Sequence, residues 1–218
     1  MDLIRSISGI RGIVDKNLNS AIIAKYAKAF CKVQKSLKPV IISRDTRNKG
    51  LIYANSIKES INELGIDVID LGIAPTPIIQ YLVKKNDTSG GIMITASHNP
   101  EEWNGLKFID NDGCFIDFKK NNNLFKSFDN NMLPEKKSQK GSVIVYEDYI
   151  SLFIHDLFKL NFIDKDKIER CNFKVVVDAT NGANYKILPM ILKKLNCQVI
   201  KLYCEDNGKF ERGPEPVA

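Results

Sequence analysis

Gly90-Gly91-Ile92-Met93-Ile94-Thr95-Ala96-Ser97-His98-Asn99-Pro100 is the stretch on which the reading of this chain turns. Gly91 to Ala96 is a short, mainly apolar run, the pattern of a strand buried on both faces of a sheet. Ser97 stands at its carboxyl end, the edge where open α/β sheets bind their ligands. Asn99 and Pro100 fit an N-cap and N1 pair opening a short helical turn over Glu101 and Glu102. A phosphate on Ser97 would then face backbone N–H groups and the positive end of that turn. The competing reading is a serine hydrolase with His98 as base. It is weakened because neighbouring residues on an extended loop point different ways, and because neither a G-x-S-x-G elbow nor an acidic orienter is present.

Outward from this strand, apolar periodicity predicts helices over 20–35 and 48–64, the second stopped by Gly65, and a short helix over 78–83 entered through Pro77. Val40 to Ile42 and Asp67 to Leu71 read as strands, and Leu106–Ile109 with Cys114–Ile116 as a hairpin. Strands alternating with helices predict an α/β fold: a three-layer α/β/α arrangement around a mixed, largely parallel sheet. Residues 119–142 are rich in Lys, Asn, Ser and Asp and read as a boundary region. The expected organisation is a first domain over 1–135, a linker over 136–146 and a second α/β domain over 147–218. That last part offers a helix over 148–160 and then a single βαβ unit, strand 174–177, helix 184–195 and strand 198–202. So small a sheet is expected to be incomplete.

Composition narrows the function classes. The 218 residues are 44% hydrophobic and 27% charged, an ordinary globular balance. No apolar run is long enough to span a membrane, and the N-terminus lacks the layout of a signal peptide. The net charge of +6 is spread among acidic residues without a basic stripe, so nucleic acid is not an expected partner. The five cysteines have no metal-ligand spacing and suit free thiols in a reducing cytoplasm. A dinucleotide-binding domain is disfavoured because no GxGxxG follows the first strand.

Five segments carry a resemblance. Thr95 to Pro100, with Gly90 to Ile94 before it and Asn104-Gly105-Leu106-Lys107-Phe108 after it, is similar to the phosphoserine loop of the α-D-phosphohexomutases, the family of phosphoglucomutase, phosphomannomutase and phosphoglucosamine mutase. Ser8-Gly9-Ile10-Arg11-Gly12 resembles its N-terminal loop. Ile42-Ser43-Arg44-Asp45-Thr46-Arg47 resembles its RDTR segment, with Ser43 where many members have Gly. Leu71 to Pro77 resembles its G-x-x-P-T-P loop, and Val177 to Ala183 the opening of its second domain.

The resemblance implies a mechanism. Phosphoserine 97 would donate its phosphoryl group to a hexose monophosphate, and the bisphosphate would turn around and return its other phosphate. Lys107 matches the general acid/base, its pKa lowered by Mg²⁺ and Arg11. Arg11 would grip phosphate oxygens, His98 and Asn99 would shape the loop and contact phosphate, and Mg²⁺ would sit on the phosphoserine 97 oxygen. Glucose 1,6-bisphosphate or a similar compound would act as activator. Alone, Lys107 would read as solvated surface, Arg44, Asp45 and Arg47 as a charge pair at a sheet edge, and Thr76 and Asp178 to Gly182 as structural turns.

The family's DGDxDR-type metal loop, sugar-reading loop and phosphate clamp have no counterpart in these residues. The chain is therefore expected to be an inactive fragment that needs the remaining mutase domains, as monomer or dimer. The preferred substrate is a glucosamine phosphate, with mannose and glucose phosphates as alternatives. The reading from another class is a non-catalytic binding or regulatory module built on the same fold.

Overall fold

The computed structural model describes residues 3–215. In chain order the elements are β1 (Ile4–Ser6), β2 (Gly9–Ile13), α1 (Ser20–Gln34), β3 (Val40–Arg44), α2 (Gly50–Asn62), β4 (Val68–Ile73), α3 (Thr76–Lys85), β5 (Gly90–Ile94), β6 (Trp103–Ile109), α4 (Phe118–Asp129), β7 (Val143–Val145), α5 (Tyr149–Leu157), α6 (Lys165–Cys171), β8 (Lys174–Asp178), α7 (Ile187–Lys194) and β9 (Gln198–Leu202). The first seven strands form one sheet in the order β1-β2-β6-β5-β3-β4-β7. β5, β3, β4 and β7 run parallel, whereas β1, β2 and β6 form an antiparallel wing against β5. The sheet is therefore mixed, with its parallel part confined to one side.

Strand alternation sorts the core into two layers. Val40, Ile42, Ile92, Ile94, Leu106 and Phe108 face α1, α2 and α4. Ile41, Met93 and Ile109 face the other way, toward α3 and α5. β5 is buried along its whole length because helices cover both faces. Local signals support the helices. The Asn19 side chain accepts the Ile22 N–H at the start of α1, and Pro75 leads into α3.

Several sequence expectations change. Phe118–Asp129 lies in the stretch read as a boundary, yet it is helical. Asp117 caps it, and Leu124, Phe125 and Phe128 pack onto the core. Phe128 stacks on Tyr26 with ring centroids 4.0 Å apart, so a few aromatic contacts outweigh a polar composition. The predicted hairpin forms, with Ile109 bridging Phe115, Asp110 N–H donating to Cys114 O and Ile116 N–H to Phe108 O, but its second arm is not a regular strand. Inside the expected linker, Val143–Val145 adds an edge strand parallel to β4. The same stretch docks on the end of α2, where Lys137 N–H donates to Glu63 O and Gly141 N–H to Asn62 O. α5 packs back on the first unit, its Tyr149 hydroxyl donating to Ile73 O.

The second unit is smaller. β8 and β9 pair in parallel as a two-stranded sheet, flanked by α6 and α7. Val177 is buried, but other apolar strand residues stay open, Val176 at 57% and Ile200 at 42% exposure. Among the described residues no helix is long and apolar enough to cross a membrane.

Candidate active site

The loop from Thr95 to Trp103 leaves β5 and re-enters the sheet as β6. Thr95 and Ala96 are still buried, and Ser97 and His98 emerge into solvent. Ser97 has φ 59, the left-handed region that an L-residue other than Gly, Asn or Asp rarely occupies. Such a conformation persists only where the surroundings over-determine it.

Here they do. Ser97 N–H donates to the Thr95 hydroxyl at 2.9 Å, and that hydroxyl donates to Asp45 Oδ2 at 2.6 Å. Asp45 also accepts the Arg47 backbone N–H and Nε–H, both at 3.1 Å. The rest of the Arg47 guanidinium reaches four carbonyls of the loop. One terminal nitrogen donates to Pro100 O at 2.5 Å and Trp103 O at 2.9 Å. The other donates to Asn99 O at 2.6 Å and Ser97 O at 3.1 Å. Arg47 is only 2% exposed and Asp45 is buried, so this is an interior clamp and not the charge pair at a sheet edge expected from sequence. Burial pushes the Asp45 carboxyl up, opposed chiefly by Arg47. Burial pulls the Arg47 guanidinium down, opposed chiefly by Asp45.

The helical turn expected after Asn99 is a single turn closed by Trp103 N–H on Pro100 O, and Glu101 and Glu102 start no helix. The Arg47 clamp draws the Asn99 and Pro100 carbonyls inward instead, so this turn presents no helix dipole to Ser97.

Arg11 and Lys107 reach the site from the antiparallel wing. Arg11 lies opposite Gly105 in the β2–β6 register, and Lys107, two residues along β6, lies opposite Met93 of β5. Residues opposite each other, and residues two apart, share a face, so Arg11, Lys107 and Met93 are on one side of the sheet. Gly105 is needed for this approach, since a Cβ there would meet Ile10 O at 2.1 Å. An Arg11 N–H donates to Asn99 Oδ1 at 3.0 Å, which ties β2 to the Ser97 loop. Lys107 is half-buried, not surface. Burial first and the Arg11 charge second hold its ammonium below the usual lysine value, against a smaller opposing effect from Asp45.

Ser97 and His98 open on a cleft of about 410 Å³ between the two units. Its wall includes Thr76 and Pro77 at the start of α3, Met93 and Thr95 below Ser97, and Thr180, Gly182 and Phe210 of the second unit. The start of α3 brings a positive dipole end there, while Pro77 carries no N–H and the Ile78 N–H donates to Pro75 O. Thr76 and the 178–182 turn, read from sequence as structural, thus line the same space as Ser97. A Thr-Pro pair opening a helix was the available signal. Arg11 and Lys107 do not line this cleft. His98 lies with Nε2 3.6 Å from Glu215 Oε1.

The metal expectation fares differently. Among the described residues no group of three or more His, Cys, Asp or Glu side chains could hold a metal ion. Asp45, the carboxylate tied to the loop, is already engaged by Arg47 and Thr95. These residues do not by themselves form a Mg²⁺ site around Ser97.

A mixed sheet covered on both faces, with a left-handed serine clamped at the carboxyl end of a central strand, defines an α/β/α domain with Ser97 at its ligand-binding edge. Residues 3–135 match the family model of the phosphoglucomutase/phosphomannomutase α/β/α domain I, and residues 147–218 that of domain II; the chain belongs to this family. It is 32% identical over 216 residues to a phosphoglucosamine/phosphogalactosamine mutase of Sulfurisphaera tokodaii, covering 96% of this chain and 46% of that protein. It is 35% identical over 209 residues to a phosphoglucosamine mutase of Prochlorococcus marinus, covering 95% and 45%. The chain thus spans about half the length of these relatives. The fold is similar to that of a phosphoglucomutase/phosphomannomutase family protein from Burkholderia thailandensis, with a TM-score of 0.75, 23% identity and coverage of 95% of this chain and 46% of that one.

Proposed function

We propose that Ser97 is the phosphoryl carrier of a phosphohexomutase and that this chain supplies the phosphoserine half of its site. The observation that carries the reading is Ser97 itself. It is a solvent-facing hydroxyl in a left-handed conformation at the mouth of a cleft, with its own N–H and C=O both tied down.

In the first step a hydroxyl oxygen of the hexose monophosphate attacks phosphorus. The new O–P bond forms as the Ser97 Oγ–P bond breaks, and the hydroxyl proton passes to a neutral Lys107 amine, which hands it on to the departing Ser97 Oγ. After the bisphosphate turns around, Ser97 Oγ attacks the phosphorus of the other phosphate as its proton passes to the Lys107 amine and that sugar O–P bond breaks. The Lys107 ammonium returns its proton to the freed sugar oxygen, so the phosphate has moved and the protein is restored. Burial beside Arg11 makes the neutral amine more accessible than in an ordinary lysine. Arg11, held by Asn99, offers a permanent cation to the phosphate oxygens. His98 and Asn99 shape the loop around the phosphate. A Mg²⁺ ion on the phosphoserine would neutralise charge when bound, and most of its oxygen ligands would come from outside the described residues. The division into domains at 1–135 and 147–218 belongs to this reading, as does dependence on further mutase domains for turnover. Glucosamine phosphate is the preferred substrate, in line with the names of the relatives at 32% and 35% identity.

The test is intact mass of the purified chain after incubation with glucose 1,6-bisphosphate and Mg²⁺. One added phosphate, absent in Ser97→Ala, is the expected outcome; equal incorporation by both proteins would refute the assignment. The lack of a carboxylate cluster among the described residues favours one second reading, a non-catalytic module of the same fold. That reading predicts no incorporation even when the remaining mutase domains are present.

A further inference from the structure

The segment Asp45-Thr46-Arg47 is gripped from two sides. On one side the Arg47 guanidinium donates to the carbonyls of Ser97, Asn99, Pro100 and Trp103. On the other side the second unit closes on it. The Thr46 hydroxyl donates to Asn181 O at 2.5 Å, the Phe210 ring lies 4.7 Å from the Arg47 guanidinium carbon, and Gly208 sits so close to Thr46 O that a Cβ would meet it at 2.4 Å.

A planar guanidinium with five donors can span carbonyls that an ammonium on a single stem cannot. All five of its guanidinium N–H donors go to Asp45 or to the loop, so none is left to bind a ligand. We propose that Arg47 is the positioning residue for Ser97: it fixes the loop in the left-handed conformation that presents the serine hydroxyl to the cleft, and Phe210 of the second unit steadies it. The docking of the second unit thereby sets how firmly the phosphoryl acceptor is held. This rests on the assignment of Ser97 as phosphoryl carrier.

Two variants of the full chain test it, Arg47→Lys and Phe210→Ala. Each is followed by the rate of phosphate incorporation at Ser97 across glucose 1,6-bisphosphate concentrations with Mg²⁺, and by hydrogen exchange. Arg47→Lys keeps the charge and loses the fork. Its maximal rate is expected to fall about 10- to 100-fold, the effect of misplacing a reacting group by an ångström or so, with little change in the half-saturating concentration. Faster exchange is expected in the peptide 95–104 and not in β3 or α1. Phe210→Ala is expected to slow incorporation about two- to fivefold, in line with one cation–π contact.

Incorporation within twofold of wild type for Arg47→Lys, with unchanged loop exchange, would overturn the proposal. So would exchange rising uniformly through β3, β5 and β6, the mark of a purely structural role. If Arg47→Lys does not fold, Phe210→Ala decides by the same two readouts. If the wild-type chain takes up no phosphate, the phosphoryl-carrier reading is what fails. The hold of Arg47 on the loop then stands with a local rise in exchange and falls without one.

Discussion

The Ser97 loop and the β8–β9 ribbon both belong to parallel α/β units, yet they are held in opposite ways. Around Ser97 the backbone is tied by Thr95 below and Arg47 beneath, within a sheet whose faces are both covered by helices. In the ribbon, Val176, Ile200 and Leu202 stay open, and two strands alone cannot shield them. The contrast separates two kinds of order. The first unit can over-determine a strained serine because its interior is closed. The second can offer a wall to the cleft without such a closed core. An acceptor for group transfer needs the first kind, since small displacements of a reacting atom are costly.

Five measurements would break or sharpen this contrast. The largest effect belongs to Ser97→Ala, which should abolish phosphate incorporation altogether while leaving the thermal melt nearly unchanged, because the side chain is solvent-facing. Arg47→Ala comes next. It strips the partner from buried Asp45 and four donors from the loop, and urea denaturation should show a loss of about 3–5 kcal/mol. Thr95→Val should cost about 1–3 kcal/mol, because it leaves Ser97 N–H without its acceptor and takes one of the three donors from buried Asp45. Val176→Ser in the open ribbon should stay within about 0.5 kcal/mol of wild type; a larger loss would mean that β8 is covered in solution.

The subtlest effect is a pH window. Hydrogen bonds from Lys136 and Lys28 hold the Glu63 carboxyl well below its ordinary value of 4.5, at about 2. A carboxylate with a depressed folded pKa contributes stability that is fully present above the unfolded value and lost as pH falls through the folded one. Acid titration of the melting temperature should therefore show a decline between about 4.5 and 2 that is shallower in Glu63→Gln. Parallel curves would mean that the linker does not dock on α2 through Glu63.

Much of the first unit was legible because β3 and β5 are nearly continuous apolar runs and its larger helices carry a stripe, whereas β1 and β2, IRS and GIRGI, carry no such signal. The Ser97 loop could be located because it directly follows one such run. α4 was not legible. Its buried positions include Asn121 and Ser127 as well as Leu124, so its face is marked by packing against Tyr26 and not by composition. Val143–Val145 is too short to announce itself and becomes a strand only because β4 offers a free edge. Arg47 shows the harder limit. Two arginines flank Asp45–Thr46 in the sequence, and nothing local says which is buried. The turn leaving β3 sends Arg47 beneath the loop and leaves Arg44 at a neighbouring groove. Lys107 was misread as surface when judged alone for a related reason, since its burial comes from strands distant in the chain.

Thr76, Thr95 and Thr180 share the cleft with Ser97, so the hydroxyl that takes the phosphoryl group can be settled by competition within one molecule. The decisive measurement is mass-spectrometric localisation of phosphate along the wild-type chain after exposure to glucose 1,6-bisphosphate and Mg²⁺. Phosphate on Ser97 alone is the predicted result. Phosphate on a cleft threonine, or spread among several hydroxyls, would contradict the claim that the clamped loop singles out Ser97.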